Sequence, residues 1–301
     1  MSKVMTMKDA VSRFVKSGDT LFLSGAQHGP PSAAMAEIVR QKIDHLAVIT
    51  ALVGFNYLVG EGLVDKIITG YQHFDEKRIY AFQRARAIGK FPIVEESSHF
   101  GIATMLIGGY MGVPFMPIKS LLGSDMRKYN DNIQSIEDPF GSGPVGIVKS
   151  VFPDIGILHC QRCDAEGNAQ KWGTLGIDHE GINASRKIII TTEKIVDSDV
   201  IRRDNNRTMI PAFRVSAVVE QPYGAYPSHL AGCYDDAPGG MMGMMGGQDA
   251  YEQYLKDAIY GVKDWDEYLE KLKAKEGSDY LDKMKIKSPK YSDPVPSGHN
   301  Q

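Results

Sequence analysis

The segment "VEESSHFG", Val94 to Gly101, sets Glu95, Glu96, Ser97, Ser98 and His99 side by side. Such a set suits proton transfer by His99 or Glu96, or attack by a carboxylate. The same residues also suit a helix start, with Ser97 or Ser98 as cap and the carboxylates near the positive end of the dipole, and both readings stay open. Ser98 beside His99 does not make a hydrolase triad: neighbours on a helix point apart, and no Gly-x-Ser-x-Gly elbow occurs. A second polar group, Tyr71, Gln72 and His73 in "GYQHFD", closes an apolar run. A third, Gly25, Gln27, His28 and Gly29 in "LFLSGAQHGPPSAAM", forms a loop opening onto a helix, where backbone N–H groups could hold an anion or carbonyl oxygen. The alternative there is a tight turn before a proline-started helix, since neither Gly-x-Gly-x-x-Gly nor Walker spacing is present.

Cys160 and Cys163 in "ILHCQRCDAEGN" stand in Cys-x-x-Cys spacing beside His159. With Cys233 as the third and last cysteine, a closed four-ligand zinc site lacks its ligands. A redox pair belongs at a strand-to-helix turn, whereas "DAEGNAQKWG" is turn-rich. The cysteines are therefore expected to be packing residues near a strand end, with no metal.

Short β-branched runs must position these groups: "TLFLSG", "LAVITALVG", "KIITGY", "GILHCQ", "KIIITTE" and "RVSAVVEQP" read as buried strands. Between them, "MKDAVSRFVKSG", "PPSAAMAEIVRQK", "DEKRIYAFQRARAIG" and "FGIATMLIGGYMG" read as helices. The alternation predicts an α/β fold with a mainly parallel sheet covered by helices on both faces, its ligands gathering at the carboxyl ends of the strands. Residues 1–238 form that domain, 239–247 a Gly/Met-rich linker, and 248–301 a helical C-terminal extension ending in the extended tail "SPKYSDPVPSGHNQ".

The 301 residues are 43% hydrophobic and carry a formal net charge of -3, which suits a globular chain, and the scarcity of cysteine suits a reducing compartment. No secretory pattern opens the chain, and the most apolar stretch, "FGIATMLIGGYMGVPFMPI", is interrupted by glycines and prolines. Without a basic cluster there is no footprint for nucleic acid. The expectation is a cytoplasmic protein, with neither membrane nor nucleic acid as partner.

"MSKVMTMKDAVSRFVKSGDTLFLSG", "GVPFMPIKSLLGSD", "DIGILHCQRCDAEGNAQKWG", "EKIVDSDVIRRD" and "VVEQPYGAYPSH" resemble, in the same order, segments of the alpha subunits of family I CoA-transferases of the glutaconate type. The chain also resembles the alpha subunits of two-subunit hydrolases that open steroid rings as CoA thioesters. The resemblance implies a three-layer αβα fold and a coenzyme A thioester as substrate, with no permanently bound cofactor. It implies as partners an acyl-CoA, a carboxylic acid, and a beta subunit carrying the catalytic glutamate. This chain would supply the residues from Gly25 to Gly29, Tyr71 to His73, Glu96 to His99, and Gly123 with Ser124 to the shared pocket.

Three departures follow from the resemblance. In "GFNYLVGEG", Phe55 stands at the pseudo-equivalent of the beta subunit's glutamate, so a nucleophile within this chain would have to be Glu61, Glu95 or Glu96, all expected near strand ends. Gly29 and Pro30 stand where glutaconate-type subunits carry an Arg-Lys pair, removing a bidentate partner for a small dicarboxylate. His99 falls where the hydrolases carry a glutamate, leaving His99 or Glu96 as base in a hydrolytic reading. A third reading is a silent subunit that only positions acyl-CoA.

Overall fold

A computed structural model describes residues 2–25, 28–50, 56–71, 79–141, 143–238 and 247–286. Its centre is a sheet of seven strands, all parallel: β1 (Thr20–Leu23), β2 (Leu46–Thr50), β3 (Val64–Thr69), β4 (Ile93–Glu96), β8 (Ile155–Cys160), β11 (Lys187–Thr192) and β14 (Val215–Glu220). Their spatial order is β14-β11-β8-β1-β2-β3-β4. The chain lays down β1 to β4 outward in one direction and then returns to place β8 on the other side of β1. The carboxyl ends of β1 and β8 are therefore the point where the winding reverses, the crevice in which such sheets hold ligands.

Side-chain alternation builds two cores from this sheet. Leu21, Leu23, Val48 and Ile157 face one core with α1 (Met7–Phe14), α2 (Ser32–Arg40), the short α3 (Asn56–Gly60) and α4 (Tyr80–Ala87). Phe22, Ile49, Ile68 and Leu158 face the other with α5 (His99–Met111) and α6 (Asp178–Ala184). The result is the expected αβα sandwich, and β8 is buried at every position, as a central strand covered on both faces must be.

Two small sheets were not legible as strands. β5 (Phe115–Ile118), β7 (Pro144–Lys149) and β6 (Ile133–Glu137) form an antiparallel flap against α5, in the order β5-β7-β6. β9 (Arg162–Asp164) and β10 (Ala169–Gln170) pair with β12 (Ile195–Val196) and β13 (Thr208–Ile210) beside the end of β8.

The C-terminal helices Gln248–Tyr254, Trp265–Glu276 and Tyr280–Met284 pack into the first core through Tyr251, Trp265, Tyr268 and Leu281. Most of the Gly/Met-rich segment and the tail lie outside the described residues. Among the described residues no helix is long and apolar enough to cross a membrane.

Candidate active site

The loop after β1 is held by a buried ion pair. Lys171 and Asp178, both almost completely buried, meet at 2.7 Å between Nζ and Oδ2. Asp178 Oδ1 accepts the Gly25 N–H at 2.7 Å, and Lys171 Nζ donates to the carbonyls of His28 and Gly29, each at 3.4 Å. The Gly29 N–H donates to the His229 carbonyl at 3.0 Å. Both glycine N–H groups that the sequence offered to an anion are thus already engaged inside the protein.

His28 is buried beneath this loop. Its Nδ1 lies 3.2 Å from the Thr174 carbonyl, which can only accept, so Nδ1 carries the proton and Nε2 is left as a buried acceptor without a partner among the described residues. Burial, reinforced by the Lys171 charge, lowers its pKa to about 3, so the imidazole is neutral at physiological pH. Its ring packs 5.4 Å from that of His229, whose Nδ1 is 3.2 Å from Asp236.

Beside it, the ends of β8 and β11 carry a second buried network. His159 bonds Thr191 Oγ1 through Nδ1 at 2.9 Å and Glu193 Oε1 through Nε2 at 2.8 Å. Glu193 also accepts from the Tyr223 N–H and the Tyr234 hydroxyl, each at 2.9 Å. The carboxylate thereby fixes the loop that begins after β14, whose Gly224 carbonyl in turn accepts the Ala33 N–H in the first turn of α2.

At the other end of the row, β3 and β4 bring the Tyr71 and His99 groups together. The two rings meet edge to face at 6.3 Å, and the Ser97 N–H donates to the Thr69 carbonyl at 3.0 Å. Ser98 caps α5, its hydroxyl accepting the Gly101 N–H at 2.9 Å. Ser97 is buried with its hydroxyl unpartnered among the described residues. Glu96 and His99 are exposed at this corner. Asn130 donates to the Glu96 carbonyl at 2.9 Å, which ties the segment after the short 125–128 helix to the same corner. Ser124 spends its hydroxyl oxygen on the Met126 N–H at 3.2 Å. Gln27, Gln72, His73 and Phe55 lie outside the described residues.

Two of the three carboxylates considered as nucleophiles are committed elsewhere. Glu61 precedes β3 and so stands at the amino edge of the sheet, opposite to where ligands collect, contrary to the expectation that placed it near the site. It accepts from Arg84 Nε at 3.1 Å and from the hydroxyls of Tyr251 at 3.0 Å and Tyr260 at 2.7 Å, fastening the C-terminal helices. Glu95 is paired with Lys66 on the adjacent strand and accepts from Asn132 at 2.7 Å.

The cysteines sit in the core at the end of β8 and in β9. Burial pushes the Cys160 thiol up to about 11 and raises that of Cys163 as well, so both stay protonated and poorly nucleophilic at neutral pH.

Residues 4–221 match the model of the Coenzyme A transferase family. This chain belongs to that family. Among its relatives, the alpha subunit of 3-oxoadipate CoA-transferase from Pseudomonas knackmussii is 32% identical over 282 residues, covering 90% of this chain and 99% of the relative. The alpha subunit of glutaconate CoA-transferase from Acidaminococcus fermentans is 33% identical over 298 residues, covering 91% and 93%. The crystal structure of glutaconate coenzyme A-transferase from that organism superposes with a TM-score of 0.84 at 30% identity, covering 99% of each chain. More distantly, a cholesterol ring-cleaving hydrolase IpdA subunit of Rhodococcus jostii is 25% identical over 237 residues, covering 74% and 79%. The CoA-transferase fold thus spans the C-terminal helices as well as the sheet, and the chain is a CoA-transferase subunit of the alpha type.

Of the residues that hold this site, His159 and Lys171 lie in a segment that carries the family resemblance, but no motif marks the buried pairing of either with Glu193 or Asp178. One signal was available: a histidine inside the continuous apolar run of β8 needs a buried partner.

Proposed function

We propose that the chain is the alpha subunit of a two-subunit CoA-transferase whose nucleophilic glutamate is carried by a beta subunit. One carboxylate oxygen of that glutamate attacks the thioester carbonyl and expels CoA thiolate, giving a mixed anhydride. The thiolate then attacks the glutamyl carbonyl, releasing the first acid and leaving a glutamyl-CoA thioester, and the acceptor acid runs both steps in reverse. This chain contributes the Gly25–Gly29 loop, the corner of Tyr71, Glu96, Ser97, Ser98 and His99, and Gly123 with Ser124; Gln72 and His73, expected in the same pocket, lie outside the described residues.

The observation that supports the reading is the commitment of Glu95 in β4 and Glu193 after β11 to internal partners, which leaves Glu96 as the one exposed carboxylate of the candidate set at these strand ends. The test is to incubate the assembled complex with a panel of short acyl-CoA thioesters, reduce the enzyme thioester with borohydride and map the modified peptide by mass spectrometry. A tag on a beta-chain glutamate supports the reading, and a tag on Glu61, Glu95 or Glu96 overturns it.

A second reading, hydrolysis of a ring-containing CoA thioester, draws on the exposure of His99 at the head of α5, where an imidazole can activate water. Exchange of labelled CoA between two acids distinguishes transfer from hydrolysis.

A further inference from the structure

Tyr223, in the loop after β14, has a φ of +54°, a left-handed conformation that a bulky side chain holds only where its surroundings over-determine it. They do so here through every polar group it has. Its N–H donates to Glu193 Oε2 at 2.9 Å, its carbonyl accepts from Trp265 Nε1 at 3.1 Å, and its hydroxyl donates to the Leu281 carbonyl at 3.0 Å. Its ring stacks on that of Tyr234 at 4.7 Å. One residue is thus tied to the end of β11 on one side and to the C-terminal helices on the other.

Glu193 is the centre of this junction. Its carboxylate accepts from His159 Nε2 at 2.8 Å, from the N–H groups of Tyr223 and Gly224 at 2.9 and 3.3 Å, and from the Tyr234 hydroxyl at 2.9 Å. That hydroxyl in turn accepts the Ala225 N–H at 3.1 Å. The His159 ring presses so closely on Gly224 that a Cβ there would lie 2.6 Å from its Cε1. Three consecutive amides, 223 to 225, are therefore set by one carboxylate, two directly and one through Tyr234.

The same stretch supports the residues that join the loop after β1 to α2. The Gly224 carbonyl accepts the Ala33 N–H at 3.0 Å, the Ala225 carbonyl accepts the Ser32 hydroxyl at 3.2 Å, and the His229 carbonyl accepts the Gly29 N–H at 3.0 Å. Gly29 lies against Leu230, whose Cδ1 would be 2.6 Å from a Cβ added there.

We propose that Glu193 is a positioning residue, which by fixing residues 223–225 sets the Gly25–Gly29 loop against the acyl-CoA thioester without touching it. This rests on the reading that the loop lines a CoA-transferase pocket. The four bonds that take Glu193 out of nucleophilic chemistry are the ones that make it a rigid support.

The test compares Glu193→Gln with wild type in the assembled complex. The amide keeps the side-chain volume but turns an acceptor into a donor, which one of the four donors around it must then face. Arg214→Gln, which removes bonds to the Asn183 and Ser185 carbonyls at the amino end of β14, controls for lost stability. In Glu193→Gln, amide exchange at Gly29 and Ala33 should quicken about tenfold or more, and kcat/KM for the thioester should fall about tenfold or more, at a temperature where the complex stays folded. Arg214→Gln should show neither change. Unaltered exchange at Gly29 and Ala33, a kcat/KM within about twofold of wild type, or equal losses in Arg214→Gln would each overturn the proposal. If Glu193→Gln does not fold, Tyr234→Phe takes its place under the same outcomes, since it keeps the stacked ring and removes the bridge to Ala225. A wild-type complex that neither transfers nor hydrolyses CoA thioesters removes the proposed function, while exchange at Gly29 and Ala33 still decides whether Glu193 holds the loop.

Discussion

Lys171 and Asp178 are seven residues apart, almost fully buried, and joined at 2.7 Å, and between them they hold the loop after β1 at both ends, through the Gly25 N–H and the carbonyls of His28 and Gly29. A buried pair of this kind is costly to break from one side, because the remaining charge has no water to turn to.

Lys171→Met should therefore destabilise the chain by about 3–5 kcal/mol. The double variant Lys171→Met with Asp178→Leu should lose less than the single variant, since no orphan charge remains. Urea denaturation of the three proteins measures this, and additive losses would show that the pair is not coupled.

His28 predicts a pH dependence of stability. Its pKa falls from the ordinary 6.5 to about 3 in the folded chain, so between those values the unfolded chain binds the extra proton. The contribution is complete above pH 6.5 and is lost as pH falls toward 3, at up to about 1.4 kcal/mol per pH unit. His28→Gln should flatten that slope. Unfolding free energies between pH 6.5 and about 4.5 that decline equally in both proteins would mean that His28 titrates normally.

Six of the seven parallel strands stand out in the sequence as short, largely buried apolar runs, rich in β-branched residues in all but β1. β4 does not, since half of Ile93–Glu96 is carboxylate and Glu95 is accommodated only by Lys66, which β3 supplies across the sheet. The strands around Ala169–Gln170 are too short to show a period. The site divides in the same way. Ser98 as a cap follows from local pattern, whereas the joining of Tyr71 with His99 needs β4 beside β3. The Lys171–Asp178 and His159–Glu193 pairs arise only when β8, β11 and α6 are brought together, and residues 34 apart carry no local mark of their pairing.

Glu61→Gln should loosen the C-terminal helices rather than remove a nucleophile. Loss of the carboxylate weakens bonds from Arg84, Tyr251 and Tyr260, a cost on the order of 1–3 kcal/mol. Hydrogen exchange should rise in residues 248–260 while turnover persists in the assembled complex. Abolished turnover with unchanged exchange would restore Glu61 to the chemistry.

Cys160 and Cys163 should resist thiol reagents. Both are buried with raised pKa values, so at about pH 8 modification of either should wait for unfolding. Peptide mapping after a short exposure to an aromatic disulfide reads this directly. Rapid labelling of either thiol in the folded chain would contradict it.

His99→Ala separates the two reactions open to the site. The imidazole is exposed at the head of α5 and packed edge to face with Tyr71, close enough to the strand ends to meet an acid or a water there. In a transferase the partner's carboxylate does the bond making, so the substitution should act mainly on the acceptor acid and raise its KM with kcat nearly preserved. In a hydrolase the same ring would take the proton from attacking water, and its loss should lower kcat by roughly a hundredfold or more. His99→Gln adds a control: it can keep a hydrogen bond to a carboxylate but cannot accept a proton near neutral pH. Recovery of KM in His99→Gln supports acid positioning, whereas a kcat equally low in both variants supports the base. Unchanged kinetics in both, with every acid and thioester tried, would remove His99 from the site.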